Sequence, residues 1–199
     1  GAACDVQSFL YSYSFEPKHD WSRMFGPQAE ILAYLNHCVD KYGLRPHIRL
    51  NSELTGAQFE DASGLWTLTI NGHETVQANA VVSCVGGLSR PILPQIKGIE
   101  SFKGQQFHSA QWDHSYDMSG KTVAVIGTGA SAIQIVPAIA PKVGKLELFQ
   151  RTPPWIMPKP DRDISGIEKK LFKRFPFFQR LFRRAIYWGL EARALGFVV

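Results

Sequence analysis

The chain has 199 residues, 45% hydrophobic and 20% charged, which suits a soluble globular protein long enough for one large domain or parts of two. Its net charge of +5 is local: basic residues outnumber acidic ones between Lys159 and Arg193, while the first hundred residues are close to balanced, which argues against a nucleic-acid footprint. The three cysteines, Cys4, Cys38 and Cys84, are scattered and odd in number, which argues against a disulfide framework or a metal site and for a reducing, cytoplasmic setting.

No apolar run approaches the roughly 20 residues that span a bilayer, and no signal peptide is visible. The chain starts on Gly1-Ala-Ala-Cys4-Asp5 without an initiator Met and stops on Gly196-Phe-Val-Val199. It is expected to be a piece of a longer protein.

Residues 1–26 are aromatic and aperiodic: Phe9, Tyr11, Tyr13, Phe15, Trp21 and Phe25 read as core packing beneath a loop. Tyr11-Ser-Tyr-Ser-Phe15 alternates in the manner of a short strand or extended segment. Asp5 is a lone acid beside apolar residues, suited either to anchoring a polar ligand or to capping a helix. From Pro27 the period becomes helical, with Ile31, Leu32, Leu35, Cys38 and Val39 on one face and Gly43 as the stop.

A β-rich section follows. His47 to Leu50, Leu54 to Phe59 and Trp66 to Ile70 alternate, and Asn71-Gly72 reads as a two-residue hairpin turn. The chain returns through Glu74 to Ala78. Ala80-Val-Val-Ser-Cys-Val85 is an unbroken apolar run, expected to be a strand buried on both faces and ending at Gly86-Gly87. Pro91 and Pro94 then form a stiff connection.

The most informative stretch is Thr122-Val-Ala-Val-Ile126, broken by Gly127-Thr-Gly129-Ala-Ser-Ala132 and followed by an apolar helix and a second run, Leu146-Glu-Leu-Phe149. A Gly-x-Gly-x-x-Ala between a strand and a helix is a dinucleotide site: Gly127 permits the tight turn, Gly129 lets a pyrophosphate approach the backbone, and Ala132 lets helix and strand pack closely. Pro137 works mildly against that helix. An NAD site carries an acid at the end of the second strand. Here that strand ends Gln150-Arg151-Thr152, and a guanidinium beside a hydroxyl suits a ribose 2′-phosphate, so NADP(H) is favoured over NAD(H).

Just before this unit stands Phe102-x-Gly104-x-x-x-His108-x-x-x-Trp112-Asp113. With the glycine motif it resembles the fingerprint of the Baeyer–Villiger monooxygenases, flavoproteins akin to the flavin-containing and N-hydroxylating monooxygenases. Cys4-Asp5 with Tyr11-Ser-Tyr-Ser-Phe15, Pro27-Gln-x-Glu-Ile-Leu-x-Tyr-Leu35, Leu88-Ser-x-Pro91 and Phe149-Gln-Arg-Thr-Pro153 agree with it, in order, over residues 1 to about 160.

The resemblance implies an α/β fold of Rossmann-like, doubly wound FAD and NADP domains. Residues 1–93 would be the end of a first FAD-domain segment with a β-meander, and 94–118 the linker with the fingerprint. Residues 119–199 would begin the NADP domain, with a basic helical excursion over 165–199. It implies that FAD takes hydride from NADPH and reacts with O2, giving a peroxyflavin that converts a ketone to an ester or lactone. Asp5 and Tyr11 would touch FAD or the nicotinamide edge. Thr128, Gly129, Ala130, Ser131, Ala132, Ile133 and Gln134 would cradle the pyrophosphate, and Arg151 and Thr152 the 2′-phosphate. His108 and Trp112 would act as a hinge or simply fix the linker. The family's catalytic arginine is expected beyond Val199, and an FAD glycine motif before Gly1.

Two departures stand out. Ala3 replaces an arginine that often precedes Cys-Asp, and Cys84-Val-Gly86 replaces Ala-Thr-Gly. The alternatives are oxygenation of sulfur or nitrogen, an NADPH oxidase, and a non-catalytic NADP-binding module. The tail sets Leu171, Phe172, Phe175, Phe178, Leu181, Phe182, Ile186 and Trp188 against lysines and arginines, with Pro176 dividing two helices. It reads either as helices packed on their own protein or as a membrane-surface element.

Overall fold

In the computed structural model, which describes residues 2–88, 90–156 and 158–197, helix α1 spans Gln28–Lys41, and strands β1, β2 and β3 span Leu54–Glu60, Leu65–Ile70 and Glu74–Ala78. Strand β4 (Thr122–Ile126), helix α2 (Ala130–Ile139) and strand β5 (Lys145–Phe149) follow, then helices α3 (Gly166–Arg174) and α4 (Pro176–Ala194). Gly1, Val199 and Ser89 of the Leu88-Ser-x-Pro91 motif lie outside the described residues. The elements form two compact units, Gly1–Arg45 with Gly120–Val199, and Pro46–Ser119.

In the first unit, Pro27 enters α1 from an extended conformation. The helix ends in a Schellman motif: the amide of Gly43, at φ +63°, bonds the carbonyl of Asp40 at 3.1 Å, and that of Leu44 bonds Val39 at 2.9 Å. Its buried stripe is rotated from the expected one. Tyr34 and Cys38 are buried with Ile31 beside them, while Leu32 and Leu35 are 51% and 39% exposed. Tyr34 decides the rotation, because its ring lies 5.5 Å from Trp21 and its hydroxyl is satisfied there, donating to the Glu16 carbonyl and accepting from the Tyr13 amide, both at 2.8 Å.

The core of this unit joins distant segments: Phe9, Trp21, Tyr34, Cys38, Ile164 and Phe172. Phe9 stands edge-on to Phe172 at 5.3 Å and to Phe182 at 5.4 Å. The expectation that the early aromatics form core holds for Phe9, Trp21 and Phe25 and fails for Tyr11, Tyr13 and Phe15, which are 46% or more exposed. Tyr11 to Phe15 is a run of turns and bends rather than a strand. Extended pairing of this segment occurs later, where Met24 bonds the Arg162 carbonyl at 2.8 Å and Ile164 bonds that of Ser22 at 2.9 Å.

Ser165 and Glu168 form a capping box at the start of α3, and Pro176 takes the first position of α4. Packing on the chain's own core accounts for the inner face of this pair. Phe172 is buried, Phe182 and Ile186 lie against the cluster, and the buried Gln179 donates to the Lys18 carbonyl at 2.8 Å. Arg183 donates to the carbonyls of Phe9, Leu10 and Ser12. No helix among the described residues is long and apolar enough to cross a membrane.

Glu16 fastens the aromatic loop to α1. Its carboxylate accepts from Lys41 at 2.6 and 2.8 Å and from the Tyr42 hydroxyl at 2.8 Å, with the His37 ring at 3.3 Å. Lys41, then Tyr42, hold the carboxyl at about 2 against an ordinary 4.5. A carboxyl lowered on folding contributes stability that is complete above pH 4.5 and lost as pH falls towards 2. We therefore expect Glu16→Gln to melt lower than the wild type at pH 6, and the two melting curves to converge on acidification through that window. A constant gap in melting temperature from pH 6 down to pH 2 would refute this role.

The second unit carries the antiparallel order β1-β2-β3. Asn71 and Gly72 take φ +52° and +75°, the left-handed pair that the hairpin demands, with His73 as a third loop residue before Glu74 pairs with Ile70. Two expected strands are absent. Arg45–His47 is a 3-10 turn, and His47 to Leu50 do not join the sheet. Ala80 to Val85 is not a strand, and Val82 and Val85 are 82% and 76% exposed. The composition suits a buried parallel strand, but a strand forms only against a neighbour, and none among the described residues pairs with this run.

Candidate nucleotide-binding site

β4 and β5 pair in parallel, from Thr122 opposite Lys145 to Ile126 opposite Phe149, with α2 as the connection between them. The pairing continues one step past β4, where the Gly127 amide donates to the Phe149 carbonyl at 2.8 Å. The glycine turn and the Gln150-Arg151-Thr152 segment therefore leave the sheet side by side, at the C-terminal edge where open α/β sheets bind ligands.

Gly127 sits at φ +104°, a conformation closed to ordinary L residues, so its place in the turn is a backbone requirement. Gly129 is the N-cap of α2 in an extended conformation. A Cβ there would meet nothing within 4 Å, so the backbone faces open space. No side chain caps α2. Among the described residues no side chain accepts from the first-turn amides, and the helix dipole adds partial positive charge. Ala132 is buried, Thr128 is half-buried, and Ala130, Ser131 and Ile133 are exposed. Pro137 is accommodated within the last turns of α2. These residues fit a dinucleotide pyrophosphate: an open glycine approach, a helix start without a side-chain cap, and a small buried residue in the first turn.

Arg151 and Thr152 are exposed at the end of β5, and Arg151 makes no ion pair among the described residues. Asp5 and Tyr11 belong to the same compact unit and are exposed. Among the described residues Asp5 caps no helix, and its side chain accepts a 4.0 Å approach from the Cys4 thiol. Gln134 is different from the rest. Both ends of its amide are engaged with Ala3, accepting from its N–H at 2.8 Å and donating to its C=O at 3.2 Å.

Sequence reasoning missed Lys159, which donates to the Cys4 carbonyl at 2.7 Å and lies 4.5 Å above the Phe25 ring. The available signal was its setting in Pro158-Lys159-Pro160, a rigid extended backbone that can present one long side chain.

The fingerprint lies in the second unit and is bonded to itself. A Cβ on Gly104 would lie 2.5 Å from the Phe102 ring, so a side chain there would require that exposed ring to move. The His108 Nδ1 accepts from the Ala110 amide at 3.0 Å and caps a 3-10 turn ending at Trp112, whose ring lies 5.1 Å from Phe107. Asp113 accepts from the Ser115 hydroxyl at 2.5 Å and amide at 2.9 Å, which hold its carboxyl below the usual range. Each fingerprint side chain thus shapes the segment locally. No metal-binding group of side chains occurs among the described residues.

The chain matches the model of the flavin-binding monooxygenase-like family over residues 5–192. It is 54% identical over 197 residues to a Baeyer–Villiger monooxygenase of Pseudomonas aeruginosa, covering 99% of this chain and 37% of that protein. It is 51% identical to another from Streptomyces coelicolor, covering 96% of this chain and 36% of that protein. Among solved structures, OTEMO in complex with FAD and NADP aligns at a TM-score of 0.80 with 36% identity, over 89% of this chain and 36% of that one. Cyclohexanone monooxygenase from Rhodococcus bound to NADP+ aligns at 0.78 with 34% identity, over 87% and 33%. The fold is accordingly α/β and Rossmann-like, and the chain spans little more than a third of the length of these curated relatives.

Proposed function

Because the chain belongs to the flavin-binding monooxygenase-like family, we propose that it supplies the NADP-binding unit and part of the FAD-binding unit of a monooxygenase that inserts one oxygen atom of O2 into a ketone, giving an ester or lactone. The observation that carries this reading is the juxtaposition of the glycine turn with Arg151 through the Gly127 to Phe149 hydrogen bond. NADPH, when bound, supplies the hydride, and FAD supplies the oxygen-activating flavin.

This chain's residues bind and orient. Gly127, Thr128, Gly129, Ala130, Ser131, Ala132 and Ile133 form the pyrophosphate cradle, with the α2 amides as donors. The Arg151 guanidinium grips the 2′-phosphate as a fork, and the Thr152 hydroxyl assists. Asp5 and Tyr11 face the flavin or the nicotinamide edge. Phe102, Gly104, His108, Trp112 and Asp113 hold the shape of the connection, a reading supported by the closeness of Phe102 to Gly104 and by the contacts of the others with near neighbours.

The functional division is 1–93, 94–118 and 119–199, as the family's motifs set it. It crosses the compact units because residues 1–45 find their apolar partners on α3 and α4. We assign a cytoplasmic location, supported by three cysteines that are all free thiols. The basic α3–α4 pair packs its inner face on its own protein.

The test uses the full-length protein. A visible flavin spectrum, and consumption of NADPH and O2 that a ketone stimulates with ester as product, are expected. Sulfoxide or N-oxide as the only product would move the acceptor to sulfur or nitrogen. Ketone-independent consumption would make it an oxidase, and no bound flavin would overturn the assignment.

A further inference from the structure

The segment immediately before Asp5 is hydrogen-bonded at every backbone group from the Ala2 carbonyl to the Cys4 carbonyl. The Ala2 carbonyl accepts from the Gln28 amide at 2.8 Å, and the Cys4 amide donates to the Gly26 carbonyl at 3.0 Å. Between them, Ala3 gives both its N–H and its C=O to Gln134 of α2. The Cys4 carbonyl takes Lys159, from the chain that follows β5. Backbone groups from the Ala2 carbonyl to the Cys4 carbonyl are thus partnered from three places. They are the entrance to α1, the nucleotide-binding helix and the segment after the strand that ends in Arg151.

Asp5 is the next residue and is exposed, with the Cys4 thiol at 4.0 Å from its carboxylate. Two of its three mounts belong to the nucleotide-binding unit. Gln134 sits five residues beyond the Gly129 N-cap, about 7.5 Å along the α2 axis from the pyrophosphate cradle. Helices move as rigid bodies, so a shift of α2 on binding is delivered to Ala3 directly.

We propose that Gln134 is a positioning residue, which with Lys159 couples occupancy of the adenosine half of the NADP site to the placement of Asp5. The inference rests on the nucleotide-binding reading above. The amide is the one side-chain group that suits this role, because it offers a donor and an acceptor at the spacing of a backbone N–H and C=O. Glutamate would set a carboxylate oxygen against the Ala3 carbonyl, and leucine would leave both Ala3 groups half-buried and unpaired.

The experiment is hydrogen exchange on the full-length protein with 2′,5′-ADP, which carries the adenosine phosphates but no hydride. In the wild type, exchange over residues 2–8 is expected to slow about tenfold on binding. In Gln134→Leu it is expected not to change, while 2′,5′-ADP affinity stays within about threefold. Lys159→Met is expected to reduce the protection by an independent route. With saturating NADPH, Gln134→Leu should slow flavin reduction about tenfold with KM little changed, and Gln134→Glu, which keeps the acceptor for the Ala3 N–H but opposes its carbonyl, should not restore the full rate.

Protection that survives in Gln134→Leu overturns the inference, as does a loss of 2′,5′-ADP affinity beyond tenfold, which would make Gln134 a phosphate ligand. Binding to the wild type without protection of residues 2–8 overturns this inference alone, and needs no variant to fold. No binding at all overturns the nucleotide assignment and the coupling with it.

Discussion

Arg151→Ala is expected to weaken NADPH binding by about 30- to 100-fold and NADH binding by less than about threefold. The physical reason is that the two cofactors differ only at the ribose 2′ position, and Arg151 leaves β5 beside the glycine turn with no ion pair of its own among the described residues. A forked guanidinium–phosphate contact is worth roughly 2–3 kcal/mol, reduced by exposure and by salt. The loss should shrink as ionic strength rises, since the contact is open to solvent. Arg151→Lys should keep the charge and lose the fork, falling between the two. Dissociation constants for both nucleotides, measured in the full-length protein at two salt concentrations, check the point. An equal loss for NADPH and NADH would sink the 2′-phosphate assignment.

The second large effect is on stability. Phe9→Ala is expected to cost about 3–5 kcal/mol, read as a lower denaturant midpoint in urea. Phe9 is 1% exposed and is the ring on which both Phe172 and Phe182 stand edge-on. Truncation leaves a cavity at the junction of the aromatic loop with α3 and α4, and removes two favourable ring pairs. The backbone of Phe9 also accepts from Arg183, so the loop that the arginine clasps would loosen with the core. Tyr11→Ala, two residues on and 49% exposed, is the matched control, with an expected change under about 1 kcal/mol. Similar losses for both would mean that the loop, and not the ring cluster, carries the stability.

The contrast between Phe9 and Tyr11 marks where sequence reading stops. Both are aromatic, both lie in the same aperiodic stretch, and only the packing of α3 and α4 on one of them separates core from surface. The same limit appears in α1, where the period was legible and the buried face was not, because Trp21 and Glu16 decide where Tyr34 turns. It appears most plainly at Ala80 to Val85, whose composition is that of a buried strand but which lies exposed without a pairing neighbour among the described residues.

What the sequence by itself determined is the set of features whose physics is local. A left-handed pair at Asn71-Gly72, a glycine stop at Gly43, a proline start at Pro176, and a strand, glycine turn and helix from Thr122 to Ile139 all follow from steric and hydrogen-bonding rules that act within a few residues. The family was legible for a related reason, since its motifs are short and ordered along the chain. The tertiary structure alone decided the partners of side chains whose chemistry permits several. The family resemblance puts Gln134 in the pyrophosphate cradle, and the fold brings its amide to the backbone of a residue 131 positions away. An amide bonds whichever peptide group the fold brings to it, and no local rule states which one that is.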